Sequence, residues 1–423
     1  MHMNIYLIFY QNLYIHVHIY IYMYSYMYIY TCMYIYICIY IYIYVYIQVR
    51  AVQVGLAAAR TNAAKALAAL ACNSETVSRE ICNVHGSLGV LLTICDEPPT
   101  GTDEVRSAAV KTLVNLVDAF LESKELICQL ALALRAVVNM IQNGTAAAKG
   151  NSCYLLANLL ELSMKVVEDT VNIPGSVEAL VDVLMTGTDF AMSNASRALG
   201  NIVDENLRMA AVIVANERAM HCFVKVAQTG RDKSRGNACQ AMGKLCEPYG
   251  ALDAQDLATV QKHRDVLGGM EGAILAMLRT AIDCEADVQI QATHGLSLVV
   301  AQHPRNCDLL AALDASFDEL VALVNSAGHK SIAGACRVLA NVCDVYGASP
   351  LAALQLAHTA GALDGFVGVM MRALQDRIAT VEAARALANL TETEQGDGQD
   401  LSVAQVALQK EGIPSLSGNG VLK

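Results

Sequence analysis

Apolar and small residues recur at helical spacing along the chain from about residue 56 onward, and they do so within one repeated phrase. The phrase has a small residue, a helix-forming polar residue and then Ala-Leu-x-Asn-Leu, and its best copy runs from Ala383 to Leu390. Copies of decreasing fidelity complete the set, at 195–202, 335–342, 109–116, 152–159, 63–70, 238–245 and 292–299. This spacing predicts helices that bury one apolar face.

The copies are evenly spaced. Aligned on the Asn position they fall at residues 69, 115, 158, 201, 244, 298, 341 and 389, which gives steps of 46, 43, 43, 43, 54, 43 and 48 residues. A period in the low forties is typical of a solenoid of helical repeats, in which each unit buries its apolar face against its neighbours. Such arrays present long surfaces to partners and seldom carry active sites.

The stretch from Gly150 to Gly187 predicts the structure of one repeat. Apolar spacing predicts a long helix over 151–162 and a short helix over 164–171. Pro174-Gly175 breaks the pattern, and Ser176 is a candidate N-cap for a third helix over 177–185. The predicted order is therefore long helix, short helix, sharp turn, medium helix.

This order and the repeated phrase resemble the armadillo repeat family. The family's turn before the medium helix recurs at Gly86-Ser87-Leu88, Pro174-Gly175-Ser176, Gly361-Ala362-Leu363 and Gly412-Ile413-Pro414. The resemblance covers about residues 56–416 and implies an all-α, right-handed α-solenoid of about seven to eight repeats. HEAT repeats are the main structural rival, but they lack this Asn phrase.

We expect three regions: a low-complexity tract over 1–49, a repeat array over 50–417 and a short tail over 418–423. The array is expected to be truncated at both ends, since neither end supplies the polar capping repeat that a solenoid needs. Longer connections around 247–261 and 344–358 account for the steps of 54 and 48 residues.

The first 47 residues alternate Ile and Tyr, hold 15 of the 18 Tyr, and precede the first charged residue, Arg50. Ile and Tyr are encoded by the two readings of a TA dinucleotide repeat, so our first hypothesis is translated microsatellite DNA in the gene model. The tract is also long enough for a membrane anchor, which takes about 20 apolar residues. A third alternative is an exposed β-segment, favoured by the period of two.

Two polar columns are expected to carry function. The Asn of each phrase and the residue four before it lie one helical turn apart, on a face that we expect to be exposed. The Asn column consists of Ala69, Asn115, Asn158, Asn201, Lys244, Leu298, Asn341 and Asn389, and the basic column of Lys65, Lys111, Tyr154, Arg197, Gln240, His294, Arg337 and Arg385.

The resemblance implies that these columns line a concave groove. An exposed Asn amide can hold the backbone of an extended peptide, and the basic column favours acidic segments, as in scaffolds of the β-catenin kind. We predict a groove for extended or helical segments of protein partners, formed by Lys65, Lys111, Asn115, Asn158, Arg197, Asn201, Lys244, His294, Arg337, Asn341, Arg385 and Asn389.

Three alternatives stand beside this prediction. Importin-α-like nuclear-import adaptors place Trp in the groove, and this chain has no Trp. Some armadillo proteins regulate small GTPases as GDP-dissociation stimulators, and the phrase at 197–202 is similar to one of theirs. The columns could instead be structural, with Asn tying adjacent helices together and Glu382 forming an ion pair with Arg385.

Composition narrows the other possibilities. The 423 residues carry a net charge of −11, all of it in residues 50–423. General nucleic-acid binding usually needs a basic surface, which this composition does not indicate. Fourteen Cys without Cys-x-x-Cys spacing indicate buried, reduced thiols and no metal site. No motif for catalysis or a cofactor is present, so we expect a non-enzymatic protein of the cytoplasm, with the nucleus as the alternative.

Overall fold

The structure is a computed structural model. It describes residues 2–98, 103–249, 253–326, 331–344, 349–372 and 376–393, and every regular element within these ranges is an α-helix. The chain divides into two compact units, residues 1–136 and 137–423. The predicted tail over 418–423 and the last predicted turn, at 412–414, lie outside the described residues, as does the expected C-terminal truncation.

The first unit begins with one very long helix and continues with the first repeats. Its helices are α1 (His2–Val54), α2 (Ala57–Ala71), α3 (Glu75–Asn83), α4 (Ser87–Asp96), α5 (Asp103–Ala119) and α6 (Ser123–Cys128), and α7 (Ala133–Asn143) crosses the boundary to the second unit. The long helices α2 and α5 pack against each other, and their phrase residues Leu67 and Leu113 are fully buried.

The Ile/Tyr tract is helical, so the β-segment alternative is wrong in this structure. Its period of two distributes Tyr around a helix with 3.6 residues per turn, and the described Tyr side chains from Tyr20 to Tyr46 are exposed. Among the α1 side chains that the structure describes, the buried ones are Val45, Val49 and Val52, at the end that packs on the repeats. Residues 16–54 are long and apolar enough to cross a membrane. The anchor and the microsatellite origin both stay predictions.

The second unit consists of successive helix triplets that end in a long third helix. Its first third helix is α8 (Ala146–Leu160), and full triplets follow: α9 (Met164–Val171), α10 (Ser176–Thr186), α11 (Asp189–Val203); α12 (Leu207–Val214), α13 (Glu217–Thr229), α14 (Asp232–Lys244); α15 (Ala254–Gly269), α16 (Ala273–Asp283), α17 (Ala286–Val300); α18 (Pro304–Ala311), α19 (Ser316–Asn325), α20 (Ile332–Val342); α21 (Pro350–His358), α22 (Ala362–Met371), α23 (Arg377–Thr393). The third helices α8, α11, α14, α17, α20 and α23 pack in that order. The all-α solenoid of seven to eight repeats is confirmed.

The predicted turns before the middle helices share one backbone conformation. Gly86, Gly175 and Gly361 have φ of 77°, 76° and 77°, the left-handed region that glycine adopts without strain. Gly272 (φ 74°) and Ala315 (φ 55°) occupy the same place in later repeats. The N-cap of α10 is therefore Gly175, and the prediction of Ser176 in that role is wrong because Ser176 is already helical.

The two long connections are partly helical. Helix α15 begins at Ala254 within the first connection, and helix α21 fills 350–358 in the second. Arg264 of α15 is buried and donates to the carbonyls of Cys246 and Leu298, at 3.1 and 3.0 Å. These carbonyls lie at the C-terminal ends of α14 and α17, whose partial negative charge favours a cation. Through Arg264, helix α15 therefore links the ends of α14 and α17 in the longest repeat.

The cysteines of the repeat phrases behave as small apolar residues. Cys153, Cys239 and Cys336 are fully buried, and this burial raises the pKa of each thiol to about 12. A thiol that stays protonated is a poor nucleophile and a poor metal ligand. The predicted role of these residues in packing is therefore supported.

Candidate functional site

The Asn column ties adjacent third helices together. In four repeats the side-chain Nδ2 of Asn donates to a backbone carbonyl of the preceding repeat. The acceptor residue comes directly before the Asn-column position of that repeat. The bonds are Asn115 to Ala68 (2.7 Å), Asn201 to Ala157 (3.0 Å), Asn341 to Ser297 (2.8 Å) and Asn389 to Ala340 (3.0 Å). Asn158 donates instead to Tyr154 of its own helix, at 2.9 Å.

The expectation of exposed Asn amides is therefore wrong for much of the column. Asn115, Asn158 and Asn341 are only 7% exposed, while Asn201 and Asn389 are half-buried. The small residues of the phrase let neighbouring helices approach closely, so a helix carbonyl reaches the amide before any ligand does. A peptide that bound this amide would have to replace an internal hydrogen bond.

The basic column reaches back to the Asn column. Nη2 of Arg385 donates to Oδ1 of Asn341 at 2.8 Å, and Nη2 of Arg197 donates to Oδ1 of Asn158 at 3.3 Å. The arginine of one repeat thus binds the asparagine of the repeat before it. Both ends of an Asn side chain are used within the protein.

A third column, acidic and missed in the sequence, runs three residues after the Asn position. Six of its eight positions are acidic, Asp118, Glu161, Asp204, Glu247, Asp344 and Glu392, and the other two are Cys72 and Ala301. Arg197 forms an ion pair with Glu161, and Lys244 forms one with Asp204 at 2.5 Å. The same alignment that gave the Asn column contained this signal.

The longest repeat carries a tight cluster of these acids. The Tyr249 hydroxyl lies 2.7 Å from Asp204 and 2.7 Å from Glu247, and burial together with these carboxylates raises the pKa of Tyr249. The hydroxyl therefore stays protonated, and its single proton is shared between the two carboxylates. Burial is also the main cause that lowers the pKa of His294 nearby.

One carboxylate of the last repeat is shared by two arginines. Glu382 lies 2.8 Å from Arg337 and 2.8 Å from Arg385, so the ion pair expected between Glu382 and Arg385 is present. Arg337 also lies 3.5 Å from Nδ1 of His294, to which its guanidinium can only donate. In the described part of the second unit each arginine or lysine of the two columns is paired with a carboxylate. The expected net basic surface is therefore wrong there.

The column lysines of the first unit are more exposed than the basic column residues of the second unit. Lys65 and Lys111 are exposed, and Lys65 pairs with Glu104 at 2.9 Å, with 57% and 75% of the two side chains accessible. An ion pair so open to water stabilises little. These two lysines are therefore more open to solvent than the arginines of the second unit, whose ion pairs are partly buried.

An aromatic cluster that the sequence did not suggest lies on the same face. The rings of Tyr154 (α8) and Phe190 (α11) stack with centroids 6.2 Å apart at 22°, and Arg197 lies over the Tyr154 ring at 5.8 Å. Phe190 remains 50% exposed. Tyr154 is a member of the basic column. Phe190 lies in the first turn of α11, before the phrase at 195–202, so the repeated pattern did not indicate it.

Comparison with known proteins agrees with this architecture. No protein-family model and no curated protein matched the sequence. A chain from a structure of the interaction between cadherin and β-catenin is similar with a TM-score of 0.57 and 13% identity, over 86% of this chain and 63% of that one. An engineered protein gives a TM-score of 0.51 and 20% identity, over 61% and 98% of the two chains. A designed armadillo repeat protein gives 0.49 and 17%, over 60% and 99%.

These similarities concern the fold alone, given the low identities. Together with the helix triplets, the shared turns and the repeated phrase, the two similarities with TM-scores above 0.5 define the class of the molecule. The chain is an all-α solenoid with an armadillo-like repeat fold.

Proposed function

We propose that the protein is a non-enzymatic scaffold that binds extended segments of protein partners along the face formed by the three columns. The observation that carries this proposal is the repetition of the same polar positions on one side of successive third helices. An extended peptide also repeats its backbone groups at a fixed spacing, so a regular surface suits it.

Acidic residues of the partner are proposed to bind at the arginines. Arg197 and Arg385 are 27% and 39% exposed, and their ion pairs have the modest strength of pairs near water, about 0–1 kcal/mol. A ligand carboxylate could therefore take the place of Glu161 or Glu382. Because the acidic column lies beside these sites, separated acidic residues are favoured over an unbroken acidic run.

A second candidate is binding of Lys/Arg-rich segments, as in a nuclear-import adaptor. The observation that favours it is a recess of about 270 Å³ at the ends of α8 and α11. Glu161, Asp204 and Glu205 line this recess together with Met164 and Val167. Carboxylates beside apolar atoms suit the aliphatic stem and charged tip of a basic side chain.

Charge reversal on the third helices distinguishes these candidates. The full chain and a triple variant, Arg197→Glu, Arg337→Glu and Arg385→Glu, are titrated with acidic, neutral and basic dodecapeptides. We expect the unmodified chain to prefer peptides with spaced acidic residues and the variant to lose that preference. A matched control reverses Arg79, Arg135 and Arg218, which are exposed, ion-paired and lie on α3, α7 and α13.

Two results would overturn the proposal. Preference of the unmodified chain for basic peptides would support the second candidate. Equal losses in the triple variant and the control would remove the third helices as the binding surface. Pull-down of small GTPases with and without nucleotide tests the remaining alternative, a GDP-dissociation stimulator, since a scaffold predicts no sensitivity to nucleotide.

The place of action is also proposed. The predicted role suits the cytoplasm, with the nucleus as the alternative and a membrane only if the Ile/Tyr tract is translated and inserted. Fractionation of the full chain tests this, because the tract would carry the protein into the membrane pellet. Sequencing of the transcript shows whether residues 1–47 are encoded in the mature message.

A further inference from the structure

Three side chains from two adjacent third helices form a stack on the column face. Tyr154 of α8 contacts both Phe190 and Arg197 of α11, with ring centroids 6.2 Å apart for Phe190 and the guanidinium carbon of Arg197 5.8 Å from the Tyr154 ring centroid. Phe190 and Arg197 are seven residues apart, two turns of the same helix. Both side chains therefore reach Tyr154 from the same side of α11.

The stack depends on a glycine inside a helix. A Cβ at Gly150 would lie 2.9 Å from Cδ1 of Phe190, closer than such contacts occur, so the ring rests directly on the α8 backbone. Glycine weakens a helix interior relative to alanine. The sequence thus places a destabilising residue where it lets an aromatic ring approach the helix backbone closely, while Phe190 stays 50% exposed.

Tyr and Arg are enriched among the residues that dominate binding energy in protein interfaces, and Phe is enriched in interface cores. The fixed stack needs little ordering on binding, which lowers the entropic cost. We propose that Phe190, Tyr154 and Arg197 form the anchoring subsite of the column face, and that it selects an apolar or aromatic residue next to an acidic one in an extended partner segment. This inference rests on the proposed function and names the partner's chemistry.

The distance between Phe190 and Arg197 supports recognition of two adjacent residues in the partner segment. Seven residues of helix place Phe190 and Arg197 about 10 Å apart along the axis of α11. Neighbouring side chains of an extended chain point in opposite directions. A segment crossing above Tyr154 can thus direct an apolar side chain to the open face of Phe190 and the next side chain, a carboxylate, to Arg197 in place of Glu161.

The test uses the full chain and synthetic dodecapeptides of a common Gly/Ser background. Their central pairs are Phe-Glu, Glu-Phe, Phe-Gln, Ser-Glu and Ser-Gln, and binding is measured by fluorescence anisotropy. We expect Phe-Glu or Glu-Phe to bind most tightly, with each side chain contributing about three- to tenfold in Kd.

Variants assign the two contributions to their partners. Phe190→Ala should remove the advantage of Phe but keep that of Glu, and Arg197→Gln should do the reverse. Gly150→Ala keeps all three side chains but displaces the ring, and it should also reduce the advantage of Phe. Arg337→Gln, a column residue outside the stack, is the control, and circular dichroism confirms that each variant is folded.

The inference is overturned if none of the five peptides binds, or if the advantage of Phe survives in Phe190→Ala. It is also overturned if Arg337→Gln reduces that advantage as much as Phe190→Ala does. The proposed function is judged separately by the charge-reversal titration: acidic peptides that still depend on the arginines would preserve the scaffold while removing this subsite.

Discussion

The guanidinium of Arg385 donates a 2.8 Å hydrogen bond to the side-chain oxygen of Asn341, which belongs to the preceding repeat. Asn341 in turn donates 2.8 Å to the carbonyl of Ser297, one repeat further back. Three successive third helices are thus joined by two polar side chains. The Asn column and the basic column, which we expected to bind a ligand, therefore also hold the repeats together.

Replacing Asn341 with alanine should destabilise the protein. The change removes a buried hydrogen bond and leaves the Ser297 carbonyl without this donor, at a cost of about 1–3 kcal/mol. We expect a lower urea midpoint by circular dichroism. Asn143→Ala is the control, because Asn143 is exposed and bonds only within its own helix, to Asn139 at 2.8 Å. Equal shifts in the two variants would refute the linking role of Asn341.

Arg264 should matter more than an exposed arginine. It is 3% exposed and binds carbonyls at the ends of two helices, so Arg264→Leu leaves both carbonyls without this partner. We expect a loss of about 2–3 kcal/mol in the free energy of unfolding. Arg218→Leu breaks an exposed ion pair with Asp182 and should cost less than about 1 kcal/mol. A similar loss in both variants would show that the bonds from Arg264 to the helix ends stabilise the protein no more than an exposed ion pair does.

The solenoid was predictable because its signals are local and repeated. The phrase fixed the third helices, and the glycines at 86, 175 and 361 marked the turns with positive φ. Helix α15 was missed because its polar residues do not follow the apolar spacing of the other repeats, and its buried Arg264 is matched by helix ends that only tertiary structure supplies.

The site was predicted less completely, for a physical reason. Spacing placed Asn341 and Arg385 on one face of their helices, but it could not show how far that face is covered by the neighbouring helix. The pairing of Arg197 with Glu161 joins residues 36 apart, which requires the packing of α8 against α11. The acidic column was readable in the alignment, but the stack of Phe190 on Gly150 was not, because it depends on the distance between two backbones.

Stability should fall on mild acidification. Burial is the main cause that lowers the pKa of His263, His294 and His303 below the usual value of about 6.5. The unfolded chain therefore binds more protons than the folded one as the pH falls through this value. The stabilisation is complete above about pH 7 and is lost progressively down to the folded-state pKa values. Urea midpoints at pH 7.5 and 5.5 measure it.

The contribution of His263 to this pH dependence of stability can be tested separately. Nδ1 of His263 lies 2.7 Å from the carbonyl of Leu245, which only accepts, so the ring donates there. An asparagine amide can supply the same donor without titrating near neutral pH. We expect His263→Asn to have a smaller difference between the two midpoints than the unmodified chain. An unchanged difference would mean that His263 does not contribute to the pH dependence.

Two glycines set the distance between α14 and α17. A Cβ at Gly243 would lie 2.4 Å from the Cα of Gly295, so backbone faces backbone and no flexible side chain can yield. Gly243→Ala should therefore force the helices apart and destabilise the protein by about 1–3 kcal/mol, although alanine favours a helix. Gly368→Ala is the matched control, since nothing lies within 4 Å of a Cβ there, and helix propensity alone should raise stability by up to about 1 kcal/mol. Opposite shifts of the urea midpoint are expected. Stabilisation by both changes would show that the close crossing at Gly243 does not exist in solution.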